Sequence, residues 1–294
     1  MHRDLVLDLD PDSSLILKAK LNEVLGSKSP LHVHVDKLAA LLHKHRSLID
    51  EASRYFQVLD PLIEDLESRV FAASDAEKLM LDLRQNRDNV KLLNDAYCAW
   101  ETALEQIFSW RLRTQESWSL PDYRLNNRFQ RLLQRETSML RNGSPRRALF
   151  IGSGPFPISA MWLHRILQIP VDGLDISAAA VEGSRELLDK LKLSDAINIL
   201  HADSETYDVS AYDVIIIALL AKPKRAILNN IARSAKDDCE VICRTSFGPR
   251  CLVYEPTDLS RDILEKFTVQ DTRVIASNSD DTISSILLRK SVTR

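Results

Sequence analysis

The chain of 294 residues has seven glycines, and six of them (Gly143, Gly152, Gly154, Gly173, Gly183 and Gly248) lie after residue 140. Gly26 is the only one before it. Glycine costs about 0.5–1 kcal/mol inside a helix, yet it suits the sharp turns that join strands to helices. Its distribution therefore divides the chain into a helical first part and a second part of different architecture. Apolar positions at helical spacing recur over 13–25, 36–58, 60–70 and 75–113. In the second stretch, Leu38, Leu41, Leu42, Leu48 and Ile49 lie roughly on one stripe. A further helical run, from about Tyr123 to Arg141, stops at the breaker Asn142-Gly143-Ser144-Pro145. The reading is an all-helical domain over 1–143 and a second domain over 144–294.

In the second domain the pattern changes to short apolar runs alternating with helical segments. The runs are 147–151, 169–175, 197–201, 213–218 and 240–244; the helices fall near 157–168, 178–192 and 223–236. Such alternation predicts an α/β fold, a Rossmann-like parallel sheet with helical crossovers. Asp213-Val-Ile-Ile-Ile-Ala218 suits a central strand covered on both faces. Two last strands, 267–275 and 282–290, separated by Asn278-Ser279-Asp280-Asp281, predict a closing hairpin. A parallel sheet closed by an antiparallel strand is usual in transferases that use S-adenosylmethionine (SAM).

Hydrophobic residues make up 45% of the chain, enough for a sizeable core. Lysine and arginine number 39 against 42 acidic residues, a net charge of −3 that gives no reason to expect a nucleic-acid partner. No apolar run approaches the roughly 18–20 residues that cross a bilayer. Met1-His2-Arg3-Asp4 opens on charges rather than on a signal core, so the expectation is a cytoplasmic chain with no membrane partner. Cys98, Cys239, Cys243 and Cys251 are read as reduced structural thiols. His32, His34, His43 and His45 form two His-x-His pairs. On a helix, His43 and His45 point about 200° apart, so surface or capping roles are expected and no metal site.

Three groups of residues can carry chemistry. Phe150-Ile-Gly152-Ser153-Gly154-Pro-Phe-Pro157 follows a strand and precedes a helix, where Gly152 and Gly154 let backbone turn close to a ligand. Asp175, at the end of the second strand, is placed to accept ribose hydroxyls; Asp203, after the third, is placed to meet an adenine amino group. The sixth position of the glycine pattern is Pro157, which disfavours a dinucleotide and favours SAM. Arg244-Thr-Ser-Phe-Gly248-Pro-Arg250-Cys-Leu-Val-Tyr254 begins at the sheet's carboxyl edge, where Arg244 and Arg250 could bind a substrate carboxylate or make structural ion pairs. Glu136 shares a helix face with Phe129 and Leu132. It is either an ion-pair partner of Arg128, Arg131 or Arg135, or a functional carboxylate.

With these residues the sequence resembles the nicotianamine synthase family, which includes bacterial enzymes that build opine-type metallophores such as staphylopine. The resemblance is clearest over 147–256. It lies in Gly152-Ser-Gly154-Pro-Phe-Pro157, in Asp213-Val-Ile-Ile-Ile-Ala218-Leu, and in Arg244-Thr-Ser-Phe-Gly248-Pro-Arg250 followed by Tyr254. It implies that an acceptor amine attacks the methionine chain of SAM, so that aminobutanoate is transferred and methylthioadenosine leaves. A base must first free the amine; the family's aromatic-x-x-Leu-x-x-x-Glu pattern aligns with Phe129, Leu132 and Glu136 and gives that role to Glu136. SAM is then a co-substrate, with no catalytic metal, and the other partner is a small amino acid such as histidine, or a further SAM-derived unit. The resemblance allows a homodimer. Two other readings compete: a conventional SAM-dependent methyltransferase, and a non-catalytic SAM-binding protein whose helical part is an interaction surface.

Overall fold

The computed structural model describes residues 21–26, 29–73, 86–275 and 279–291. Of the helical reading over 13–25, only 21–25 fall among them, and these are helical. Residues 74–85, at the start of the 75–113 run, also lie outside the described residues.

The first half is helical: α1 (Leu31–Lys44), the single turn α2 (Ser47–Asp50), α3 (Phe56–Ala72), α4 (Arg87–Thr114) and α5 (Asn126–Thr137). The stretch 36–58 is thus not one helix. His43, Lys44 and Arg46 are exposed; a run with nothing to bury gives the helix no reason to continue, and α1 closes with the His45 N–H on the Leu41 carbonyl. Leu38 and Leu42 of α1 and Leu59, Leu62, Ile63 and Leu66 of α3 are fully buried, each worth roughly 1.5–3 kcal/mol of transfer free energy. His34 departs from the expected surface role. It is wholly buried, with Nε2 3.2 Å from an Asp65 oxygen, and burial, helped by Arg69, lowers its pKa to about 4.

From residue 148 the chain alternates. The elements are β1 (Ala148–Ile151), α6 (Ile158–Leu167), β2 (Val171–Asp175), α7 (Ala178–Lys190), β3 (Ile197–His201), β4 (Val214–Ile217), α8 (Lys224–Ser234), β5 (Glu240–Thr245), α9 (Arg261–Leu264), β6 (Phe267–Arg273) and β7 (Ser284–Lys290). They build one seven-stranded sheet in the order β3-β2-β1-β4-β5-β7-β6. The first five strands are parallel, and β7 runs antiparallel to both β5 and β6. The order reverses at β1, whose neighbours are β2 and β4. That is the switch point where open α/β sheets hold ligands beyond their carboxyl ends. All four residues of β4 are buried, as its unbroken Val-Ile-Ile-Ile run requires of a strand covered on both faces.

Two compact units follow from the contacts, and their boundary differs from the expected break at 143/144. The first runs through Leu104 and includes Gly248–Glu255; the second comprises Glu105–Phe247, Pro256–Ile275 and the chain from Asp280 onward. Helix α5, assigned by composition to the helical domain, packs on α6. Its Arg131 and Arg135 bind Asp281 at the mouth of β7, so it belongs with the sheet. Helical periodicity shows that α5 buries a face but not which neighbour covers it. Among the described residues no helix is long and apolar enough to cross a membrane.

Candidate functional site

The turn after β1 is built from backbone bonds that need its glycines. Gly152 and Gly154 have φ of +83° and +68°, the left-handed region that side chains disfavour. The Gly152 and Ser153 N–H groups both donate to the Leu174 carbonyl, at 2.7 and 3.1 Å. The Gly154 N–H donates to Asp175 Oδ2 at 2.8 Å, and its carbonyl accepts from Ser184 Oγ of α7 at 2.7 Å. Ser153 contributes through its backbone. Its side chain is buried and turned toward β2, where a Cβ on Gly173 would meet Ser153 Cβ at 3.0 Å.

Asp175 sits at the end of β2, as expected. Its Oδ1 takes the Ser177 N–H at 2.9 Å while Oδ2 holds Gly154. A carboxylate offers roughly four acceptor directions, so two remain for hydroxyls of a ligand. Asp203 is exposed in the turn after β3, with Oδ1 on the Glu205 N–H at 2.9 Å. A cleft of about 490 Å³ along α7 is lined by Glu182, Arg185, Glu186, Asp189 and His201, and not by Asp175, Asp203 or the glycine turn.

Two residues, one at this turn and one at the turn after β4, carried no mark in the sequence. Glu105, in α4, places Oε2 2.9 Å from the point a Cβ on Gly154 would occupy. Nothing in the periodicity of α4 distinguishes it from other helix-surface glutamates. Lys224, at the start of α8, directs its ammonium into the turn after β4 and donates to the carbonyls of Ala218, Leu219 and Ala221.

Glu136 and Arg244 come together. Both are buried, at 0% and 2% exposure. Arg244 Nε and Nη2 each lie 2.9 Å from a Glu136 oxygen, a bidentate pair. Nη1 donates to Ser159 Oγ at 3.0 Å, and Ser285 Oγ donates to Glu136 Oε1 at 2.7 Å. The guanidinium also lies over the Phe150 ring, 4.9 Å from its centroid. Phe129, Leu132 and Glu136 do share one buried face of α5. Of the arginines considered as partners, Arg131 and Arg135 bind Asp281. Glu136 therefore has an ion-pair partner other than the three arginines expected, and Arg244 makes the structural ion pair weighed for it. The Glu136 carboxylate has no exposed surface and both its oxygens face the guanidinium. Three of the five Arg244 N–H donors are directed at Glu136 and Ser159.

The motif that began at Arg244 is divided between the units. Arg250 and Tyr254 fall in the first, with Gly248–Leu252 forming a 3₁₀ turn. Arg250 is 4% exposed, gives Nη2 to the Ser279 carbonyl at 2.7 Å and lies over the Phe71 ring. Tyr254 is 1% exposed, donates to Glu101 Oε2 at 2.7 Å and meets Tyr97 edge to face. Burial, then the charge of Glu101 and the Tyr97 ring beside it, holds the Tyr254 phenol well above its ordinary range. Asn94 Nδ2 ties the same turn down through the Cys251 carbonyl at 2.9 Å.

The sheet order, the reversal at β1 and the glycine turn with its partner aspartate define the second unit as a Rossmann-like domain of the SAM-dependent transferase type. The chain belongs to the nicotianamine synthase family, whose model, described as nicotianamine synthase protein, matches residues 28–294. Nicotianamine synthase 1 of Oryza sativa subsp. indica is 26% identical over 162 residues, which are 51% of this chain and 47% of the relative. Nicotianamine synthase 1 of Hordeum vulgare is 27% identical over 139 residues, 43% of this chain and 42% of that one. The chain spans about half the length of the curated relatives it matches. Among solved structures, MtNAS in complex with MTA and tNA superposes with a TM-score of 0.78 at 24% identity, covering 90% of this chain and all of that one. A point mutant of MtNAS in complex with S-adenosylmethionine gives 0.71 at 22% identity, covering 93% and 96%. At these identities the likeness is one of fold.

Proposed function

We propose that the protein transfers the 3-amino-3-carboxypropyl (aminobutanoate) group of SAM to the amine of an amino acid and releases methylthioadenosine. The observation that carries this reading is the glycine turn held to Asp175 at the switch point of the sheet, in a chain of the nicotianamine synthase family. Asp175 accepts the ribose hydroxyls with its remaining lone pairs, and Asp203 faces the adenine end. Relatives of the same fold are bound to S-adenosylmethionine in one structure and to MTA and tNA in another. SAM carries a sulfonium and an ammonium, and carboxylates at this edge match that positive charge.

In the step itself the acceptor nitrogen forms a bond to the methylene carbon beside the sulfonium. The carbon–sulfur bond breaks, and sulfur keeps the electron pair as a neutral thioether. The attacking amine must arrive deprotonated, and its surplus proton needs an acceptor. We give that role to Glu105 rather than to Glu136 because the Glu105 carboxylate lies against Gly154. Glycine at 154 leaves the space the carboxylate occupies. An acceptor with several amines and carboxylates, extended in this way, yields a metal-chelating amino acid, a nicotianamine-like or opine-type product.

The test is product identity. Incubation with SAM and candidate amino acids, histidine among them, is expected to release methylthioadenosine, read by mass. S-adenosylhomocysteine would instead establish methyl transfer, and tight SAM binding with neither nucleoside released would establish a binding protein. Asp175→Ala is expected to weaken methylthioadenosine binding by roughly 10–100-fold, from the loss of charge-assisted hydrogen bonds. Calorimetric titration reads this directly, and unchanged affinity would remove Asp175 from the site.

A further inference from the structure

We infer that Lys224 is a positioning residue for the SAM turn, acting from inside the neighbouring turn and touching no ligand itself. The inference rests on the reading of Gly152–Gly154 as that turn. Strand β4 ends at Ile217, and the chain passes through Ala218-Leu219-Leu220-Ala221 before α8 begins at Lys224. The Lys224 ammonium lies 2.9 Å from the Ala218 carbonyl oxygen and 3.2 Å from that of Ala221, and it also donates to the Leu219 carbonyl between them. An ammonium carries three N–H donors, one for each of these oxygens. Three carbonyl dipoles directed at one point repel each other, and a cation at that point turns the repulsion into attraction. The lysine is therefore the centre around which the turn is wound.

What the wound turn presses against is the glycine loop. A Cβ on Gly152 would lie 3.0 Å from Ala221 Cβ and 3.1 Å from Ala218 Cβ, tighter than nine in ten real Cβ contacts, so the two methyl groups crowd the space beside Gly152. Ala218 is also tied to β1 through its N–H on the Ile151 carbonyl at 2.9 Å. Gly152 in turn donates to the Leu174 carbonyl, one residue before Asp175. A shift of the β4 turn therefore moves Gly152 and the backbone that meets the nucleoside. Small side chains at 218 and 221 permit the approach, and the Lys224 ammonium fixes how near it comes. A long cation here has a bland alternative role as a helix-start residue with a solvated head. Three backbone carbonyls within hydrogen-bond distance, all from the ligand edge of the sheet, separate the two.

The experiment is Lys224→Met, which keeps the stem and removes the charge and donors. Methylthioadenosine affinity is measured by calorimetry and steady-state kinetics with SAM well below the melting temperature of the variant. The expected result is an approximately tenfold rise in the dissociation constant and in KM for SAM, with kcat within about threefold of wild type. This split is what a misplaced binding turn produces and a loss of stability alone does not. Wild-type affinity in K224M would overturn the role of Lys224, as would a fall confined to kcat. If K224M does not fold, Ala221→Val decides, since its added methyl groups push on Gly152 with Lys224 intact. The same loss of affinity supports the inference and unchanged affinity overturns it. Failure of the wild-type protein to bind methylthioadenosine would instead overturn the SAM reading on which it rests.

Discussion

Glu136→Ala is expected to destabilise the protein by about 3–5 kcal/mol, the usual cost of removing one partner from a buried ion pair. Arg244 would be left with its charge at 2% exposure and, among the described residues, with Ser159 as its remaining side-chain hydrogen-bond partner. Urea denaturation reads the loss as a lower midpoint, equivalent to a melting-temperature fall of roughly 10 °C. Arg244→Ala has the mirror effect, because it leaves the Glu136 carboxylate with Ser285. Replacing both, by Glu136→Leu with Arg244→Met, recovers much of the stability, since an apolar pair of similar volume carries no desolvation cost. The outcome separates two roles. A structural pair predicts loss of stability that the double substitution rescues. A catalytic base predicts that Glu136→Gln keeps the midpoint and loses turnover, and that result would return Glu136 to the mechanism.

Glu105→Gln has the largest expected effect on activity: a fall in kcat of roughly 10²–10⁴-fold, the range that a positioned general base contributes. Glutamine keeps the shape beside Gly154 and still offers one acceptor oxygen, but it cannot take a proton near neutral pH. Binding of methylthioadenosine is therefore expected to stay within a few-fold of wild type, since the ribose contacts belong to Asp175. Raising the pH, which frees the acceptor amine without help, should restore part of the lost rate. A variant with full turnover would exclude Glu105 as the base. A variant that has lost nucleoside affinity and turnover together would make Glu105 a binding group for the cationic methionine end instead.

The strands show how far local pattern reaches. Each of the seven expected strands is present within a few residues, because a run such as Val-Ile-Ile-Ile can be buried only between two covering layers. The glycine turn was equally legible, since a left-handed backbone at Gly152 and Gly154 leaves a mark in composition. The helices expected near 157–168, 178–192 and 223–236 are present at Ile158–Leu167, Ala178–Lys190 and Lys224–Ser234. Periodicity gave α5 its buried face, with Phe129, Leu132 and Glu136 on it. It did not give the neighbour, and the unit boundary at Leu104 differs from the glycine-based one for that reason. The tract from Arg244 to Tyr254 reads as one motif in the chain but is divided between two units in space.

The sequence by itself determined the elements, their order, the turn at Gly152–Gly154 with Asp175 behind it, and the family to which the chain belongs. These are local properties: apolar spacing, the backbone freedom of glycine, and a carboxylate at a strand end. Only the tertiary structure decided which charged groups meet. Glu136 and Arg244 are 108 residues apart and pair because α5 and β5 bury them together. Glu105 reaches the loop at Gly154 from a helix distant in the chain, whereas Lys224 meets carbonyls only three to six residues back. A charge is marked in the sequence only by its letter. Whether it anchors a core, holds a turn or faces a substrate depends on the groups that folding brings within about 3 Å of it.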